Sequence, residues 1–174
     1  MRFELKENRA GGEIKDFLTT VDVIKSDKDL TFEFYCKNSK FFSASNEYNG
    51  PIFDGDVCEA FICSEEDYWY YEIEVAPNGC VFLNKIHNLG VGQYEAYPIE
   101  TNFIKSEVEI LSDTDYRVKF IVPLEKIGYD EKRGIKYNAY RIETEGGFTD
   151  KNLLALNPTL CDTFHVFESF IELK

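Results

Sequence analysis

The sequence predicts an all-β protein: an antiparallel β-sandwich of immunoglobulin or jelly-roll type, with about 8–10 strands and one short helical turn. Three observations carry that expectation: recurrent period-two alternation, strong turn punctuation between the alternating runs, and the near absence of helical periodicity. The first run, Thr20–Ile24, is followed by Leu30–Lys37, where Phe32, Phe34 and Cys36 fall opposite Thr31, Glu33 and Tyr35. Val57–Cys63 is apolar except at Glu59, and Trp69–Ala76 sets Trp69, Tyr71, Ile73 and Val75 against Tyr70, Glu72 and Glu74. Tyr116–Val122 alternates in the same way, and Cys80–Ile86, Ser106–Leu111, Tyr137–Glu143 and Thr163–Ile171 complete the strand candidates. Asn49-Gly50-Pro51, Asp113-Thr114-Asp115 and Gly146-Gly147 separate them, and Ala76-Pro77-Asn78-Gly79 joins two runs closely enough to predict a hairpin. The helical turn is expected at Pro123–Gly128, with proline near its start and glycine just past its end. No linker or internal repeat interrupts the chain, which predicts one domain over residues 1–174.

Composition narrows the function classes. The 174 residues include 19 Lys and Arg against 32 Asp and Glu, a formal charge of −13, which disfavours nucleic acid and anionic membrane surfaces as partners. At 44% hydrophobic and 16% aromatic the chain is far too apolar to be disordered. No stretch approaches the roughly 18 apolar residues of a membrane-spanning helix. The five cysteines, at 36, 58, 63, 80 and 161, form no C-x-x-C pair and are expected as buried free thiols, which fits a reducing compartment. The start, Met1–Glu7, lacks the apolar run of a secretory signal. As written, the chain is expected to be cytoplasmic, or extracellular if it has been trimmed.

Much catalytic and metal chemistry is missing. His87 and His165 lie far apart, without metal-ligand spacing around them. Gly90-Val91-Gly92 lacks the third glycine of a dinucleotide loop and fits a hairpin connection instead. Asp54-Gly55-Asp56 is part of a calcium-loop pattern without the remaining ligands. No cofactor is expected; a structural calcium ion is compatible with a sandwich of this kind, but no ligand set can be read.

What remains is polar chemistry inside apolar strands. Glu59 interrupts Val57–Cys63, and Arg141 interrupts Tyr137–Ile142, where an internal ion pair is the competing account. A neutral sugar offers hydroxyls and flat C–H faces, so its site needs an aromatic ring to stack on and charged or amide groups to hydrogen-bond. Phe53, Trp69, Tyr71 and Phe164 are candidate stacking faces, with core packing as the alternative for each.

Several segments together resemble family 9 carbohydrate-binding modules. Pro51–Ile62 is similar to the family's segment in which an aromatic precedes D-x-x-E-x-F-I, and Tyr70–Gly79 to its next strand and turn. Tyr116–Gly128 resembles its strand followed by I-P-x-E-x-L/I-G, Tyr137–Arg141 its N-x-x-R strand, and Leu154–Thr159 with Phe164-His165 and Phe170 its closing pattern. The match runs from about residue 15 to the C-terminus. It implies a β-sandwich with a non-catalytic sugar site for an oligo- or polysaccharide such as xylan or cellulose, often attached to a glycan-degrading enzyme. In characterised members two tryptophans clamp a terminal sugar. Phe53 occupies the first position and Leu156 the second, which removes one ring and implies weak or altered binding. Glu59 matches the acidic hydrogen-bonding position, Glu72 stands where a sugar-binding member can carry arginine, and Asn138, Arg141, Asn157 and His165 match positions near the site. Two other readings stay open: a hydrolase using Glu59 with Glu72 or Glu74, and a protein-interaction module that has lost the pocket.

Overall fold

The computed structural model describes residues 1–148 and 151–173. Thirteen strands are present among them: β1 (Arg2–Glu4), β2 (Lys6–Glu7), β3 (Thr19–Lys25), β4 (Asp29–Cys36), β5 (Val57–Cys63), β6 (Trp69–Val75), β7 (Val81–Gly90), β8 (Gln93–Pro98), β9 (Lys105–Ile110), β10 (Tyr116–Pro123), β11 (Lys136–Glu143), β12 (Asn152–Ala155) and β13 (Ile171–Glu172). Two antiparallel sheets result. The smaller runs β1-β3-β4-β10-β9; the larger runs β2-β12-β11-β5-β6-β7-β8, with β13 paired to the start of β11 beyond β12. No helix among the described residues is long and apolar enough to cross a membrane.

The alternation read from the sequence sets the layers. In β4 and β10 every second residue is buried, so Phe32, Phe34, Tyr116 and Phe120 point at the larger sheet while the intervening residues meet solvent. Phe32 stacks on Phe120 at 5.4 Å and meets Tyr137 of β11 edge-on at 5.8 Å, joining the sheets through aromatic contacts. β5 and β6 behave differently. All seven residues of β5 are buried, as are six of seven in β6, because both faces of the larger sheet are covered. Cys58, Ala60, Ile62, Tyr71, Ile73 and Val75 face the inter-sheet core. Val57, Phe61, Cys63 and Tyr70 face outward into a second apolar cluster with Phe164 and Phe167.

That second cluster departs from the expected strand over Thr163–Ile171. Only Ile171–Glu172 pairs as a strand; before it comes a 3-10 turn, Phe167–Ser169. Phe164, Phe167 and Phe170 recur every third residue and lay their rings on the outer face of the sheet, a spacing that period-two geometry cannot deliver. The expected helical turn forms at Leu124–Ile127, closed by Gly128 at φ 62°. A further 3-10 turn at Ile52–Asp54 precedes β5, and the 77–79 hairpin turn joins β6 to β7 with Gly79 at φ 85°. Strand β8 went unread because all six of its residues are exposed and its polar sequence carries no burial pattern. The five cysteines are free; Cys36 and Cys58 meet across the sandwich with their sulfurs 3.4 Å apart.

Arg141 lies between the sheets, on the same face of β11 as Tyr137 and Ala139, and its side chain is fully buried. Its Nη1 donates to Thr19 Oγ1 at 2.8 Å and to the Lys37 carbonyl at 3.1 Å, and its Nη2 to Glu143 Oε2 at 2.5 Å. The internal ion pair is therefore the structure's answer for this residue. Arg141→Leu is expected to cost about 3–5 kcal/mol in a urea titration, because Glu143 stays buried without its partner. Pairing it with Glu143→Leu should recover much of that loss.

Candidate functional site

The outer face of the larger sheet holds a cavity of about 420 Å³. Its floor follows from register. Glu59 of β5 sits directly opposite Glu74 of β6, and Phe61 opposite Glu72. On the other side of β6, Asn84 of β7 faces Glu72 and Phe82 faces Glu74. Period two then places all six side chains on one face, at the centre of a seven-strand path.

The walls are aromatic. Phe53, on the 52–54 turn, meets Phe82 edge-on at 5.3 Å. Tyr94 of β8 stacks on His165 with centroids 3.7 Å apart, and His165 lies 5.1 Å from the ring of Phe61. Phe164 stacks on Tyr140 at 4.2 Å, and its carbonyl accepts the Tyr140 hydroxyl at 3.2 Å. The segment carrying His165 is pinned to the β7–β8 hairpin, since Gly92 N–H and Asn88 Nδ2 both donate to the His165 carbonyl, at 3.0 and 3.3 Å. At the rim, Lys151 Nζ donates to the Phe53 carbonyl at 2.8 Å and pairs with Asp54 at 3.3 Å, while Arg9 pairs with Asp162.

Electrostatics on the floor are dominated by desolvation. Burial, reinforced by repulsion from Glu72, pushes the Glu59 carboxyl well above its ordinary range. Burial and then repulsion from Glu59 and Glu72 do the same to Glu74. Glu72 is pushed up to about 7 by burial, against a weak bond from Asn84 Nδ2 at 3.4 Å. His165 is driven down to about 4 by burial, so its ring is neutral at pH 7 and its 3.5 Å approach to Glu72 is no ion pair. Its Nδ1 lies 2.7 Å from the Tyr70 hydroxyl. Glu59 Oε1, Glu74 Oε2 and Asn84 Oδ1 are buried without a hydrogen-bond partner among the described residues. No group of three His, Cys, Asp or Glu side chains among those residues is arranged to hold a metal ion.

Of the residues singled out from sequence, Phe53, Glu59, Glu72 and His165 converge on this cavity, as does Glu74. The other four do not line it. Arg141 is the interior ion pair described above. Asn138 is fully buried and organises backbone: its Nδ2 donates to the Asn157 carbonyl at 2.8 Å, and its Oδ1 accepts from Asn157 N–H at 3.1 Å. Asn157 in turn donates from Nδ2 to the Ser169 carbonyl at 2.8 Å. Leu156 packs on the inter-sheet core, so it does not form the wall opposite Phe53 that the resemblance implied. Trp69 and Tyr71 face away from the cavity; Tyr71 joins the inter-sheet core and Trp69 stacks on His87 at 4.3 Å. Asp56, in the acidic turn, accepts from Ser39, Phe42 and Thr144 and is a loop staple.

Sequence reading missed Tyr94, Asn84 and Phe82. Tyr94 lies in the unread strand β8, and nothing local marks it. Asn84 and Phe82 had a faint signal, since both share the period-two face that Glu72 and Glu74 define across the hairpin.

Comparison with known proteins agrees with this architecture. No family model and no curated protein matches the chain. Among solved structures, a candidate carbohydrate-binding protein from Bacteroides uniformis ATCC 8492 superimposes with a TM-score of 0.78 over 98% of this chain and 84% of its own, at 13% identity. A family 9 carbohydrate-binding module from Caldicellulosiruptor kristjanssonii in complex with glucose gives 0.60 over 99% of this chain and 83% of its own, at 11% identity. The same organism's module in complex with cellotriose gives 0.56 over 90% and 72%, at 10% identity. The chain shares the β-sandwich fold of these structures. At such low identity the family 9-like sandwich is what the likeness carries, and the side chains of the cavity must be read on their own chemistry.

The shifted groups make stability pH-dependent. A carboxyl raised from 4.5 keeps in the folded state a proton that the unfolded chain has released, so its contribution falls as pH rises. His165 acts oppositely between about 4 and 6.5, where the unfolded chain binds the extra proton. Above that window the carboxyls act alone among these groups. The urea midpoint is expected to fall from about pH 6.5 to 8, and Glu59→Gln should flatten the slope. A profile that rises over this range contradicts the assignment.

Proposed function

We propose that this protein binds carbohydrate, without catalysis, in the cavity on the outer face of its larger sheet. The observation that carries this reading is the juxtaposition of aromatic faces with buried carboxyl and amide groups in one open cavity. Tyr94, Phe53 and Phe164 offer apolar surface for the C–H faces of a sugar ring, and Glu59, Glu72, Glu74 and Asn84 offer partners for its hydroxyls. The cavity is not filled by the protein's own side chains, which weighs against an interaction module that has lost its site. Structural neighbours described with glucose and cellotriose support a saccharide as the ligand class. Polymers such as xylan or cellulose, and work beside a glycan-degrading enzyme, belong to the same proposal.

The hydrolase reading has one observation in its favour, the three carboxyls in a single cavity. Acid–base catalysis, however, needs partners whose environments push their proton affinities apart, one held ionised and one held protonated. Here burial pushes all three upward, with repulsion added at Glu59 and Glu74, and among the described residues neither Lys nor Arg bonds to any of them. That arrangement favours holding a ligand over turning it over.

Titration calorimetry with glucose and cellotriose tests the proposal, with heat of binding expected at millimolar ligand or below. Tyr94→Ala and Phe53→Ala are each expected to weaken binding by about tenfold, the value of a lost ring contact. Absence of binding to any mono- or oligosaccharide, or full affinity in both variants, overturns it. Turnover of an aryl glycoside that disappears in Glu72→Gln would instead establish the hydrolase.

A further inference from the structure

We propose that the cavity prefers an amino sugar, a saccharide ring carrying a protonated primary amine, over the corresponding neutral sugar; this rests on the reading of the cavity as a saccharide site. Once its carboxyls are ionised, the floor lacks donors and not acceptors. Glu59 Oε1, Glu74 Oε2 and Asn84 Oδ1 are all acceptors, all buried, and without a donor among the described residues. Their residues are 2%, 2% and 5% exposed, and all three line the cavity. An ammonium group brings three donors and no acceptor, whereas each hydroxyl brings one donor together with lone pairs that need donors of their own.

Charge points the same way. The two cationic side chains lining the cavity are engaged at its rim, Lys151 by the Phe53 carbonyl and Asp54, and Arg9 by Asp162. Among the described residues no cationic side chain hydrogen-bonds to the floor carboxyls, and the pull of Lys151 on Glu59 and Glu74 is outweighed by burial. An arriving ammonium would favour the ionised form of Glu59 and Glu74, each giving up its proton to solvent, and a charge-assisted bond is about twice as strong as a neutral one. The last torsion of a glutamate side chain is broad, so a modest rotation turns either carboxyl towards the ligand. Around this floor the rings of Tyr94 and Phe53 offer faces that attract both a cation and the C–H surface of a pyranose. An N-acetylated amine loses the charge and two of its donors, and with them the advantage.

The test is titration calorimetry of the full chain with glucosamine, glucose, N-acetylglucosamine and ethanolamine, at a pH where the free amines are protonated. Glucosamine is expected to bind at least about tenfold more tightly than glucose or N-acetylglucosamine. Glu74→Gln and Glu59→Gln should each collapse the glucosamine-to-glucose ratio towards unity. The second variant covers the case in which the first fails to fold. Equal affinity for glucosamine and glucose overturns the preference while leaving the saccharide site standing. Ethanolamine binding as tightly as glucosamine overturns it too, by showing that the ring adds nothing. A ratio unchanged in a folded variant removes the floor carboxyls from the explanation. No binding by any of the sugars fails the saccharide reading itself.

Discussion

Carboxyl groups forced out of water at the centre of a sheet covered on both faces are the constraint on which this structure turns. β5 and β6 carry apolar side chains into the sandwich core, and that same packing obliges Glu59, Glu72 and Glu74 to point the other way, into the outer cluster. A strand cannot rotate one residue independently of its neighbours, because the face is dictated by period two. Once the C-terminal segment and the β7–β8 hairpin close over that face, the carboxyls sit in a low-dielectric cavity beside aromatic rings. The raised proton affinities of Glu59 and Glu74 and the neutral His165 are consequences of that enclosure.

Two sets of buried ionisable groups in this fold meet different ends. Arg141 and Glu143, both fully enclosed between the sheets, are bonded to each other, and Arg141 reaches Thr19 and backbone carbonyls besides. That set is nearly saturated and holds the N-terminal segment against β11. Among the described residues Glu59, Glu72 and Glu74 have no comparable partners, and one oxygen on each of Glu59 and Glu74 is left unsatisfied. A saturated buried ion pair is a structural fixture; an unsatisfied buried carboxyl beside a cavity is chemistry waiting for a ligand.

The layers were legible because alternation survives in the sequence wherever one face of a strand is buried and the other wet, as in β4 and β10. The 77–79 hairpin and the Leu124–Ile127 turn were legible because proline and glycine act locally on backbone geometry. Strand β8 was not: it is an exposed edge strand whose identity comes from its hydrogen bonds to β7. The C-terminal segment was misread as a strand because its phenylalanines look like strand residues, while their partners lie on β5, β6 and β11, far away in sequence. Within the candidate site the same division holds. Glu59, Glu72 and Glu74 stand out locally as polar breaks in apolar runs, whereas Tyr94 enters the site only through the pairing of β8.

The chain's order of residues was enough by itself to establish an all-β sandwich, the two faces of each half-buried strand, and the presence of acidic groups where apolar ones are the rule. Those are short-range properties, written in periodicity and turn chemistry. Which polar residue faces a cavity and which faces its own ion pair was decided only by tertiary structure. Arg141 and Glu59 look alike in sequence, each a charge inside an apolar strand; the packing of two sheets and a covering segment sent one to the interior and the other to the site. Register between strands distant along the chain makes that choice, and no local pattern encodes it.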